Sequence, residues 1–318
     1  MFRRFLSAAA TPFRAAATPA MSFPLKKPCK LALIQLATGN DKTANLKHAG
    51  EKVAEAASRG ANVVVLPECF NSPYGTEYFP KYAEPIPGVT GAHPPESTPS
   101  YNTLSALAST HKIYLIGGSI PELDPRTQKL YNTSMTFSPS GALIATHRKV
   151  HLFDISIPGK IHFIESEVLS PGMTPTLVDL PEFGLIGIGI CYDVRFPELA
   201  MLAARKGAFA MVYPGAFNMT TGPVHWELLG RGRAVDNQIY VALCSPARSA
   251  EAGYTAWGHS MVIDPYAEVV AVTDETEGIV EWVLTPERIT EVRKGIPVTV
   301  QRRFDVYADI SVVGPTEE

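Results

Sequence analysis

Gly184-Leu185-Ile186-Gly187-Ile188-Gly189-Ile190-Cys191-Tyr192-Asp193-Val194-Arg195-Phe196-Pro197-Glu198-Leu199 decides how the rest of the chain is read. Up to Ile190 the pattern is a buried strand, with Leu and Ile alternating with glycines that let another backbone approach. From Phe196 to about residue 205 it is a helix, with Pro197 at a tolerated early position and Glu198 favourable in the first turn. Cys191 falls at the turn between them. A thiol at such an elbow stands out of the sheet, and turn N–H groups beside it are placed to stabilise a developing oxyanion. Taken alone, a free cysteine at the end of an apolar strand is more often a small buried hydrophobe. Two further stretches change that reading.

Working outward, strands and helices alternate. A strand at 30–37 leads to a helix over 41–59, whose Ala44, Leu46, Ala49, Val53, Ala56 and Ala57 share a face. Gly60 closes it, and 61–66 is the next buried strand. Residues 71–100, rich in Pro, Gly, Ser and Tyr, read as a long loop before a helix at 103–111 and a strand at 113–117. Segments 131–137 and 143–148 flank Ser138-Pro139-Ser140-Gly141, a hairpin signal. Beyond the elbow come a strand at 209–213, a helix at 224–237 and a strand at 239–244. Strands at 257–264, 267–273 and 278–284 and a helix at 286–294 complete the core. This order predicts an α/β fold with two mixed sheets.

The chain has 318 residues and a net charge of −3, which suggests neither a nucleic-acid nor a membrane partner. No stretch approaches the roughly 20 apolar residues of a membrane span. Cys29, Cys69, Cys191 and Cys244 are scattered, without disulfide-scaffold density or metal spacing, so a reducing compartment is expected. Residues 1–26 read as an extension outside the fold, with 27–318 as one domain. Arg3, Arg4 and Arg14 punctuate that start and no acid precedes Asp41. This pattern is similar to a mitochondrial presequence, and Met21 offers an internal start, so the expected location is mitochondrial and/or cytoplasmic.

Two other strand ends carry chemistry. In Val63-Val64-Val65-Leu66-Pro67-Glu68 a carboxylate follows a hydrophobic strand, at the edge where α/β sites collect. In His147-Arg148-Lys149-Val150-His151 a lysine closes the hairpin strand. Glu68 can take the thiol proton of Cys191 and later activate water. Lys149 can stabilise an anionic tetrahedral intermediate, and Cys191 can form an acyl-thioester. The three suffice for amide hydrolysis.

Leu66-Pro67-Glu68, Arg148-Lys149-Val150-His151-Leu152 and Gly189-Ile190-Cys191-Tyr192-Asp193-Val194-Arg195-Phe196-Pro197-Glu198 resemble the nitrilase superfamily of carbon–nitrogen hydrolases, from about residue 30 to 307. The resemblance implies a four-layer α-β-β-α sandwich, a Glu68/Lys149/Cys191 triad, a homodimer joined through outer helices, and neither cofactor nor metal. It also implies a second glutamate that orients the triad, here Glu165.

Glu68-Cys69-Phe70-Asn71-Ser72-Pro73-Tyr74-Gly75, His151-Leu152-Phe153-Asp154-Ile155 and the segment from Tyr213 to Glu227 are similar to the ω-amidase branch of that superfamily. That branch implies cleavage of the terminal amide of 2-oxoglutaramate or 2-oxosuccinamate to a 2-oxo dicarboxylic acid and ammonia. Such a substrate needs a cation at its far end. Arg195 offers a planar fork for it, unless it pairs instead with Asp193 or Glu198. Tyr74, Phe217, Thr220 and Thr221 read as pocket wall, although Thr-Thr-Gly also reads as a simple helix start. His225, Trp226 and Glu227 read as support. The competing readings are a deaminated-glutathione amidase, a true nitrilase, and a non-catalytic scaffold that would need no such triad.

Overall fold

The layers follow from single strands. In β1 (Cys29–Gln35) Leu31 and Leu33 face one way and Ala32 and Ile34 the other, and all four are buried. A strand covered on both faces belongs to the middle of a stack. The computed structural model describes residues 24–87, 95–249 and 254–312. In chain order the further elements are α1 (Lys42–Ser58), β2 (Val63–Val65), α2 (Phe79–Tyr82), α3 (Pro99–His111), β3 (Tyr114–Ile116), β4 (Ile120–Asp124), β5 (Lys129–Phe137) and β6 (Leu143–Arg148). A hairpin of β7 (Asp154–Ile157) and β8 (Ile161–Ile164) precedes β9 (Thr176–Leu180), β10 (Gly184–Ile188), α4 (Pro197–Arg205) and β11 (Ala208–Pro214). Then come α5 (Gly222–Asn237), β12 (Tyr240–Cys244), β13 (Met261–Ile263), β14 (Val269–Val272), β15 (Gly278–Leu284) and α6 (Pro286–Gly295).

Among the described residues the strands form two large sheets beside the β7–β8 pair. One runs β15-β1-β2-β3-β5-β4, with β6 also on β5. The other runs β14-β13-β12-β11-β10-β9. Each has a parallel centre, β1-β2-β3 and β10-β11-β12, and antiparallel flanks. The sheets face each other through Leu31, Leu33, Val63 and Val65 on one side and Ile186, Ile188, Val212 and Ala242 on the other. Ala32, Ile34 and Val64 instead meet Leu46, Val53 and Leu104 of α1 and α3. Met211, Val241 and Leu243 meet Ala200 and Ala203 of α4 and Trp226 and Ala234 of α5. The result is the four-layer α-β-β-α sandwich. No helix among the described residues is long and apolar enough to cross a membrane.

Several boundaries differ from the sequence expectation. Residues 1–23 of the expected extension lie outside the described residues. Leu25 within it is fully buried in the inter-sheet core, and the Lys26 N–H donates to the Phe183 carbonyl. The fold therefore begins earlier than residue 27. The long loop at 71–100 contains α2, and α3 begins at Pro99, whose fixed φ suits a first helical position. The strand expected at 257–264 is only Met261–Ile263, because Gly258 (φ +77°) and His259 (φ +58°) cannot continue a strand. Four strands, β4, β7, β8 and β9, have no counterpart in the sequence reading.

Candidate active site

β2 and β10, one parallel strand from each sheet, each lead into a strained turn. After β2 the chain passes through Glu68 to Cys69, at φ +52°. The first residue of the turn after β10 is Cys191, at φ +47°. Left-handed backbone at non-glycine residues is costly and is held here by surrounding packing. Gly215 permits the second turn: a Cβ there would lie 2.9 Å from the Cys191 Cα.

Glu68, Lys149 and Glu165 meet in a cluster with fully buried side chains. The Lys149 Nζ lies 3.2 Å from Glu68 Oε1 and 2.9 and 3.0 Å from the two Glu165 oxygens. Asn132 Nδ2 donates to Glu68 Oε1 at 2.8 Å, and the Ala216 N–H donates to Oε2 at 2.8 Å. Glu165 is fixed by the Tyr74 hydroxyl at 2.8 Å and the Phe153 N–H at 2.7 Å. Cys191 is buried, 3% exposed, and its thiol lies within the electrostatic reach of Glu68 and Lys149. Four separated segments thus deliver one compact group. The first N–H groups of the Cys191–Arg195 turn, those of Cys191 and Tyr192, precede any turn carbonyl able to accept them.

A second buried knot ties the elbow to the lysine segment. Asp193 is fully buried. Its Oδ1 accepts from the His151 N–H at 2.9 Å and pairs with His151 Nδ1 at 2.8 Å. Its Oδ2 accepts from the Ile190 N–H at 2.9 Å and pairs with His147 Nε2 at 3.1 Å. Sequence reasoning missed this role, although His147 and His151 flank Lys149 at two-residue spacing and Asp193 stands two residues after Cys191. It also missed Asn132 and Tyr254, whose hydroxyl donates to the Ala216 carbonyl at 2.6 Å and whose ring lies 4.6 Å from that of Tyr74.

The remaining expected residues divide. Among the described residues Arg195 has no carboxylate partner: its Nη1 lies 3.2 Å from His225 Nδ1, and its guanidinium carbon sits 4.8 Å from the Phe217 ring centre. The pairing with Asp193 or Glu198 does not occur, because the histidines and backbone take both Asp193 oxygens. Thr220 and Thr221 belong to a loop organised by Asn218, whose Oδ1 accepts from both of their N–H groups at 2.9 Å and from the Thr221 hydroxyl at 3.2 Å. Trp226 packs beneath Phe217 and donates to the His259 carbonyl at 2.9 Å. Glu227 pairs with Arg231 on the exposed face of α5, away from the site. A small recess opens beside Glu68, lined by Tyr74, Ala216 and Tyr254 among others.

The family model for carbon–nitrogen hydrolases matches residues 30–294. The chain belongs to this family. It is similar to omega-amidase NIT3 of Saccharomyces cerevisiae, 54% identical over 290 residues that cover 90% of this chain and 97% of the relative. Omega-amidase NIT2 of Danio rerio is likewise 54% identical, over 283 residues, 89% of this chain and 98% of that one. Among solved structures, Saccharomyces cerevisiae Nit3, a member of branch 10 of the nitrilase superfamily, matches with a TM-score of 0.81 and 52% identity. The match covers 90% of this chain and 100% of that one.

In this carbon–nitrogen hydrolase, burial sets the resting protonation states. Burial pushes the Cys191 thiol well above its ordinary range, and the Glu68 charge adds to that effect, so the resting sulfur is a thiol. Burial also raises Glu68, against the opposing pull of Lys149. For Lys149 burial works the other way, but Glu165 and Glu68 overcome it and hold the ammonium well above the usual lysine range. A buried thiol coupled to a carboxylate base and to a cation that stays charged is the equipment of a hydrolase acting on amide C–N bonds.

Proposed function

We propose that the protein is an ω-amidase, hydrolysing the terminal amide of 2-oxoglutaramate or 2-oxosuccinamate to the 2-oxo dicarboxylic acid and ammonia. The observation that carries this reading is Arg195, a cation without a carboxylate partner among the described residues, four residues past Cys191 and seated over Phe217. Burial holds its guanidinium below the usual arginine range, against the opposing effect of Cys191. An incoming carboxylate satisfies such a group. The omega-amidase relatives from yeast and zebrafish support the same reading.

The reaction runs through the buried cluster. Glu68 takes the Cys191 proton, and the thiolate attacks the amide carbon. Lys149 and the Tyr192 N–H stabilise the oxyanion. Collapse breaks the C–N bond, and the proton on Glu68 passes to the departing nitrogen, releasing ammonia and leaving a thioester. Water then attacks the thioester while Glu68 takes its proton. The acid departs and the thiol is restored. Glu165 touches Lys149 and acts by holding that ammonium in place.

Arg195→Lys keeps the charge and removes the fork. On 2-oxoglutaramate it should lower kcat/KM by one to two decades, the ~1.5–3 kcal/mol of a charge-assisted hydrogen bond. Ammonia release is measured from 2-oxoglutaramate, succinamate, deaminated glutathione and neutral butyramide. Equal losses on acidic and neutral amides would remove Arg195 from substrate recognition. Wild-type preference for deaminated glutathione would move the protein to the sister branch.

Two further readings belong with this proposal. The working unit is a homodimer joined through outer helices: Val224, Leu228 and Val235 form an exposed apolar stripe on α5. Light scattering on a Leu228→Glu variant tests it, a dimer in that variant counting against the α5 face. The location is mitochondrial and/or cytoplasmic, supported by the Arg-rich, acid-free start. Fractionation of tagged full-length and Met21-initiated forms tests it, and identical distributions would leave the first residues without a targeting role.

A further inference from the structure

Helix α5 grips Arg195 at two points. From its second half, Arg233 Nε donates to the Val194 carbonyl at 2.9 Å and Nη2 to the Arg195 carbonyl at 3.2 Å, fixing the main chain. From its first turn, His225 reaches the side chain, with Nδ1 3.2 Å from Arg195 Nη1. Residues 225 and 233 are about two helical turns apart and lie on one face. A guanidinium has donors and no acceptor, so His225 Nδ1 must accept, which places the ring proton on Nε2. The ring systems of Phe217, at 4.8 Å, and Tyr192, at 5.4 Å, flank the guanidinium. Nη1 is thereby engaged. Nε, by contrast, is buried and has no hydrogen-bond partner among the described residues.

We propose that His225 is the positioning residue for substrate specificity: it locks Nη1 so that the Nε–Nη2 edge of Arg195 is presented to the substrate carboxylate, which docks side-on through two parallel hydrogen bonds. This rests on the ω-amidase reading above and deepens it by naming the edge that recognises the acid and the residue that sets it. A buried, unsatisfied Nε is costly without a ligand and is satisfied by a bidentate one. Without the lock the guanidinium keeps its charge but loses one fixed orientation, so recognition of the acid weakens while the chemistry at Cys191 is untouched.

The test uses the full-length protein with His225→Leu and His225→Asn. The Asn side chain places an acceptor the same number of bonds from the backbone as Nδ1, whereas Leu places none. kcat and KM are measured on 2-oxoglutaramate and on butyramide, and their kcat/KM ratio is taken, which is independent of the folded fraction. His225→Leu should lower this ratio about tenfold, through KM for the acid rather than kcat, and His225→Asn should restore most of it. A purely structural role for His225 would depress both substrates in parallel and leave the ratio alone. A wild type with no preference for the acid would overturn the ω-amidase reading and this one together. A wild type that prefers the acid, with a Leu variant within twofold of its ratio, would overturn the role of His225 alone.

Discussion

Asp193→Asn tests whether the buried knot holds the catalytic elbow. Each Asp193 oxygen serves one backbone N–H, that of His151 on Oδ1 and that of Ile190 on Oδ2, at 2.9 Å each. An asparagine NH₂ therefore faces a backbone N–H in either orientation, so no flip rescues it. One buried donor is orphaned, and the charge that pairs with His147 and His151 is removed. Breaking one member of such a buried network costs about 3–5 kcal/mol. Unfolding entropy near 2.1 cal/mol/K per residue gives ~0.7 kcal/mol per kelvin for a chain of this length, so Tm should fall by roughly 4–7 °C. Calorimetry at fixed scan rate and concentration measures it. Because Cys191 lies two residues from Asp193, and His147 and His151 flank Lys149, kcat should also fall more than about tenfold. Burial opposes the charged form of Asp193, but the hydrogen bonds from His147 and His151 outweigh it and hold the carboxyl well below the ordinary range. A carboxyl with a depressed folded pKa stabilises in full above its unfolded pKa, near pH 3.9, and loses that contribution as pH falls further. The Tm gap between wild type and variant should accordingly shrink below about pH 4. A Tm within 2 °C of wild type with near-normal kcat would refute the knot as the element that sets the elbow.

Cys191→Ser should leave less than about a hundredth of the wild-type rate with the fold intact; mass spectrometry of the quenched wild type should find the acyl group on the Cys191 peptide, and an adduct elsewhere would defeat the thioester route. Gly215→Ala drives a Cβ to 2.9 Å from the Cys191 Cα, so the elbow must shift and kcat should drop by one to two decades, with KM much less affected. On the acid side, kcat/KM should decline as Glu68 becomes protonated and can no longer take the thiol proton. Burial raises that carboxyl, so the limb should lie above the ordinary value of 4.5. A pH profile flat down to that value would count against Glu68 as the base.

The parts of the molecule legible in the sequence are those in which one segment carries its own signal. β15 matches its expected bounds, Glu68 and Cys191 each follow a readable hydrophobic strand, and Lys149 closes a hairpin strand marked by its turn. The illegible parts depend on partners far along the chain. β9 is recognisable only through its antiparallel pairing with β10, and β7 and β8 chiefly pair with each other. The role of Thr221 is decided by Asn218, whose side chain takes up its hydroxyl. Arg195 presents the same difficulty in reverse: acids stand close by in sequence, yet Asp193 is drawn inward by two histidines from β6 and the segment just beyond it, leaving Arg195 without a carboxylate among the described residues.

The second glutamate has a physical reason that charge counting brings out. At rest the buried cluster holds Glu68 and Glu165 as carboxylates and Lys149 as an ammonium, with Cys191 a thiol. When the proton moves from sulfur to Glu68, one anion replaces another and the cluster's net charge is unchanged, so no new uncompensated charge is created in a low-dielectric site. During that interval Glu68 no longer neutralises Lys149. Glu165, touching the same ammonium through both oxygens and itself held by Tyr74 and the Phe153 N–H, keeps the cation charged and in place. Lys149 therefore remains available to the oxyanion at the step that needs it, which a single Glu–Lys pair in this environment would not ensure.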